Sequence, residues 1–117
     1  MSGPLDAEAM RRSVENLSYS GVVCYCAEIP GSRQGEQIDT LILSVDEERA
    51  LFQMFSIAEE ASTRWDANVS VAQRLGELMP GDSLLVIVAA CAERDQAFDC
   101  CRFVADQMAE RVPVRMD

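Results

Sequence analysis

At 117 residues, 49% of them apolar, the chain is long enough for one buried core and too short for two. Twenty acidic side chains against ten arginines give a net charge of −10, which repels phosphate backbones and excludes non-specific nucleic-acid binding. Lysine and histidine are absent, which removes the commonest general base, the commonest metal ligand and any Schiff-base amine.

Residues 1–18 are polar, with a short helical repeat at Ala7, Met10, Val14 and Leu17 that reads as a docking or fraying helix. They lack the basic start and apolar core of a signal peptide, and no apolar run reaches membrane length, so a cytoplasmic protein is expected. Residues 21–29 (GVVCYCAEI) are β-branched and aromatic, a strand by propensity. Pro and Gly make residues 30–35 a loop, and a second strand spans residues 37–45. Ser44 and Glu47 have capping-box spacing at the head of a helix. Ala50, Leu51, Met54, Ile57, Ala58, Ala61 and Trp65 form its expected buried face, with Phe52 on the charged face.

Val69, Val71 and Leu75 alternate with polar residues, a third strand with one wet face. The turn sequence MPGD at residues 79–82 is expected to join it, hairpin-like, to the apolar run at residues 84–91. That run is too short for a membrane span and rich in Val, and it reads as the central buried strand. The last helix places Ala97, Phe98, Cys101, Val104, Ala105, Met108 and Val112 on one face, with Cys100 at its shoulder and Phe103 outside it. Pro113 ends it, because proline lacks a donor and restricts Val112. The order β-β-α-β-β-α predicts a single α+β domain over residues 1–117, two main helices packed on a largely antiparallel sheet.

The five cysteines contain no CxxC pair and are expected to be thiols, packing as small hydrophobes. Cys24 and Cys26, two apart on a strand, face one way. A thiol-rich metal site is the alternative, if they converge with Cys91, Cys100 or Cys101; the expectation is no metal and no cofactor.

The run R-x-G-x-L-x-x-G-D at Arg74, Gly76, Leu78, Gly81 and Asp82 is followed by the apolar strand, by Glu93-Arg94, and by Arg111 and Pro113 at the last helix end. In this order and spacing, residues 20–117 resemble the large (catalytic) subunit of molybdopterin synthase. The resemblance implies an enzyme that transfers sulfur onto a pyranopterin phosphate from the thiocarboxylated Gly-Gly tail of a small ubiquitin-like carrier subunit. It also implies a homodimer, in keeping with Phe52 and Phe103 lying off the buried faces. The chemistry departs from the pattern. Where the family has a histidine before the arginine this chain has Glu93, and where it has two lysines this chain has Ala109 and Met116. The family's Gly-x-x-Arg element reads Ala27, Glu28, Ile29, Pro30, with Arg33 three residues further on.

Arg94 and Arg111 match family arginines, and with Arg115 they are the candidate substrate-binding residues. No catalytic residue is assigned, since arginine binds an anion but makes a poor base. Three functions follow: an impaired synthase subunit associated with molybdenum cofactor biosynthesis, a non-catalytic interaction or regulatory protein on that fold, or a thiol-rich metal-binding protein.

Overall fold

The computed structural model describes residues 4–116, and the side chains of residues 4–114. Its centre is β7 (Ser83–Cys91), flanked antiparallel by β1 (Gly21–Glu28) and β5 (Asn68–Gln73) in the order β1-β7-β5. Both faces of β7 are covered, which is why its sequence is a continuous apolar run rather than an alternating one. Leu85, Ile87, Ala89 and Cys91 face the two long helices, and Val86, Val88 and Ala90 face the other way.

The long helices, α2 (Glu47–Trp65) and α3 (Arg94–Arg111), bury Ile57, Ala61, Ala97, Cys100, Val104 and Met108 against β7. The opposite sheet face is closed by α1 (Ala7–Ser13), whose N-cap Asp6 accepts from the Ala9 amide at 3.0 Å. The N-terminal helix thus docks. Val14, only 3% exposed, seats on Val86, Val88 and Ala90, whereas Leu17 is outside the packed face and 99% exposed.

A second three-stranded sheet, ordered β6-β4-β8, joins β4 (Leu41–Ser44) antiparallel to β6 (Gly76–Leu78) and β8 (Arg115–Met116). It closes over Ile29, Leu43 and Leu78. Between β1 and β4 lies a small hairpin of β2 (Ser32–Arg33) and β3 (Glu36–Gln37), where the sequence indicated a loop. All the pairings are antiparallel, as the short β-β links require.

Several local expectations are corrected. The α2 cap is Asp46, not Ser44: its carboxylate accepts from the Arg49 amide at 3.3 Å. Leu51 and Phe98 have the spacing of the buried faces, yet they are 68% and 54% exposed. On each helix the apolar stripe is wider than the surface that buries it. Cys100 is fully buried, and Phe103 is half-buried against Trp65, with ring centroids 5.3 Å apart and Arg64 stacked over both rings. The MPGD turn feeds β7 from β6 rather than from β5, because the chain leaves the main sheet at Gly76 to pair with β4 and then returns.

Candidate functional site

The R-x-G-x-L-x-x-G-D run builds this excursion. Gly76 and Gly81 have φ of +97° and +92°, a backbone that a Cβ disfavours. Asp82 accepts from the Met79 amide at 2.8 Å and lies 3.8 Å from the Arg74 guanidinium, while the Arg74 amide donates to the Leu84 carbonyl. The Arg74 Nε is buried without a partner among the described residues. The motif therefore fixes the β5–β6–β7 path, and through it the wall of a cleft.

That cleft, about 400 Å³, lies between the sheet and the C-terminal half of α3. Tyr25 of β1, Gln73 of β5 and Leu84 of β7 line one side, and Asp106, Ala109 and Pro113 line the other. Gln73 is the buried polar residue of the core, 7% exposed. Asp106 is the sole charged group among the described lining residues. The cleft can offer a phenol, an amide and a carboxylate, and no described cation to hold a phosphate or carboxylate.

The candidate arginines do not gather there. Arg111, two residues beyond Ala109, points around the helix towards α2. Its Nη1 reaches Glu60 at 2.7 Å and its Nε donates to Gln53 at 2.8 Å, with Gln107 at 3.4 Å from Nη1. It lines a separate cleft of about 430 Å³ with Arg49, Asp46 and Glu110. Arg94 begins α3, so it stands on the order of 25 Å from Arg111 along the helix axis. Within one chain the two cannot grip one small anion. Arg94 is exposed, 3.5 Å from Asp95, and Glu93 precedes it as the N-cap without a side-chain cap bond. Arg115 and Met116 lie in β8, and their side chains fall outside the described ones. Arg33 sits on the exposed β2–β3 hairpin.

The Glu93–Arg94 corner is set by a close backbone approach at Gly21. A Cβ on Gly21 would lie 2.7 Å from the Glu93 carbonyl oxygen and 3.0 Å from the Arg94 Cα. The start of β1 thus packs directly on the backbone between β7 and α3, and Ser20 Oγ donates to the Ala92 carbonyl at 2.7 Å. The signal available in sequence was a glycine opening a β-branched strand.

The cysteines divide between the two faces of the sheet. Cys91, Cys100 and Cys101 belong to the core beneath the helices. Burial, followed by the neighbouring Cys91, pushes the Cys100 thiol up to about 12; burial, followed by Cys24, pushes Cys101 up to about 11. Such thiols stay protonated and are poor nucleophiles. Cys24 and Cys26 lie opposite Val88 and Val86, hence on the other face, and are exposed. Among the described residues no three potential metal ligands converge, so the five thiols do not form one site.

A family model described as MoaE protein matches residues 1–111. The chain belongs to the MoaE family. The molybdopterin synthase catalytic subunit of Pyrococcus abyssi is 28% identical over 102 residues, covering 86% of this chain and 69% of that relative. Among solved structures, molybdopterin synthase from Staphylococcus aureus superposes with a TM-score of 0.94 at 20% identity, covering 99% of this chain and 85% of that one. A protein–protein complex of subunits 1 and 2 of molybdopterin-converting factor from Helicobacter pylori 26695 contains a chain matching at TM-score 0.82 and 14% identity, over 99% and 80% of the two chains. The MoaE fold is therefore kept nearly end to end. Ala109 lies on the wall of the Tyr25–Gln73 cleft.

Proposed function

We propose that this MoaE-family protein acts in molybdenum cofactor biosynthesis as a large-subunit homologue that binds a small sulfur-carrier subunit, and that its own sulfur-transfer chemistry is impaired or lost. The observation that carries this reading is the cleft at Ala109, where Asp106 is the sole charge among the described lining residues. A pterin phosphate and a thiocarboxylate are both anionic. A site that brings them together needs preorganised cations and a proton carrier, and losing one such group costs about 3 kcal/mol in the transition state. Glu93 replaces an imidazole with a further negative charge, and the net charge of −10 adds repulsion.

Binding does not need those groups. The relative from Helicobacter pylori occurs in a complex of two subunits, and the fold that would present such an interface is retained here. In this reading Arg94 and Arg115 are the remaining candidates for anion contact, while Arg111 serves mainly to tie α3 to α2. Self-association into a homodimer is part of the proposal, supported by Leu51, Phe52 and Phe55 lying together on the outer face of α2, each about 70% exposed. Light scattering tests it, and a strict monomer at tens of micromolar, roughly the range of weak self-association, would remove it. Among the described residues no helix is long and apolar enough to cross a membrane, and a cytoplasmic setting fits the free cysteines.

The deciding experiment combines the purified protein with a thiocarboxylated carrier and the pyranopterin precursor, and follows dithiolene formation alongside carrier binding. The expected result is binding without appreciable conversion. Partial activity is expected from the Ala109→Lys, Met116→Lys, Glu93→His triple variant. Robust conversion by the unmodified protein would overturn the reading, and absence of carrier binding would overturn its partner.

A further inference from the structure

Cys24 and Cys26 form a structural pair that neither the fold nor the proposed function uses. Their Sγ atoms stand 3.9 Å apart on the exposed face of β1, an edge strand that pairs only with β7 among the described residues. Both thiols are held there by the ladder, since Cys24 is opposite Val88 and Cys26 opposite Val86.

This separation disfavours a bond between the two sulfurs. Two residues of extended strand span about 6.8 Å between Cα atoms, the upper limit for a disulfide. Closing the gap would require β1 to pucker out of register with Val86 and Val88. The gap is instead matched to an inserted ion. With a metal–thiolate bond of about 2.3 Å, a 3.9 Å sulfur separation gives an S–metal–S angle of about 116°. That lies between trigonal and tetrahedral, so each sulfur can bind with only rotamer adjustment.

We propose that the Cys24–Cys26 pair is a surface binding site for a soft, thiolate-seeking cation of the Cu(I) type. Thiolate ligands select Cu(I) over harder ions, and a chain of net charge −10 attracts cations to its surface. No third protein ligand converges on the pair among the described residues, so the coordination is completed by an external thiol such as glutathione. On binding, each cysteine loses its S–H proton to solvent as an S–Cu bond forms. Copper enters and remains as Cu(I), so no electron moves. The three core thiols are sealed beneath the helices and do not compete.

The test is anaerobic titration of the full chain with Cu(I) against a chromophoric Cu(I) chelator, in the presence of glutathione. One Cu(I) per chain is expected, together with protection of Cys24 and Cys26 from alkylation mapped by mass spectrometry. Cys24→Ser and Cys26→Ser lie at exposed positions and should each fold with an unchanged melting curve while losing at least tenfold in affinity. Equal copper retention by the double serine variant would overturn the proposal, because the metal would then sit elsewhere. So would failure of the unmodified chain to hold Cu(I) against glutathione alone.

Discussion

Substituting Gly21 by alanine probes the corner on which Arg94 is mounted. The new Cβ would lie 2.7 Å from the Glu93 carbonyl oxygen, 2.8 Å from its carbonyl carbon and 3.0 Å from the Arg94 Cα. All three are backbone atoms, so no rotamer change relieves the overlap. Either β1 or the β7–α3 junction must move by a few tenths of an ångström, against the Gly21–Cys91 ladder pair and the Ser20–Ala92 hydrogen bond. Overpacking of this kind costs about 1–3 kcal/mol, and an immovable obstacle belongs in the upper half of that range. Alanine also reduces unfolded-chain entropy, which offsets about 0.4–1 kcal/mol. The net expectation is a loss of about 1–2 kcal/mol, read as a lower urea midpoint at unchanged slope. The Glu93 oxygen also accepts the Ala97 amide at 3.1 Å in the first turn of α3, so hydrogen exchange at Ala97 should accelerate. A variant as stable as the parent, with Ala97 exchange unchanged, would refute the close approach.

Ile87→Ala should cost about 2–5 kcal/mol in the same denaturation assay, since Ile87 is fully buried on the helix-facing side of β7. Arg111→Met should cost only about 1 kcal/mol, because its partner Glu60 stays half-exposed and solvated; a much larger melting shift would show that the α2–α3 tie is stronger than a surface ion pair. Stability should fall with rising pH above about 9: Cys100 and Cys101 remain protonated when folded but ionise when unfolded. The folded state then binds more protons, and the slope is about −1.4 kcal/mol per pH unit for each thiol until its folded value is passed. Cys100→Ala should flatten that slope in alkaline melts. Asp46→Ala should lose about 1 kcal/mol as the α2 cap is removed, whereas Ser44→Ala should change little.

Much of the architecture is written locally. The length and Val content of the apolar run at residues 84–91 favour a strand covered on both faces, and the turn residues Gly81 and Asp82 specify a tight reversal before it. Charge and composition likewise determine that a site in this chain must work without lysine or histidine. Periodicity identifies the apolar face of a helix, yet Leu51 and Phe98 show that it does not say where the covering surface ends. The excursion through β6 depends on a non-local pairing with β4, and the split of the five cysteines between two sheet faces depends on the register of β1 against β7. Above all, sequence order places Ala109 two residues from Arg111, and only the packed helix turns one towards the Tyr25–Gln73 cleft and the other towards Glu60. Residue identity travels along the chain, but the direction of a side chain is fixed by the rotation of its helix against its neighbours, a property of the tertiary structure alone.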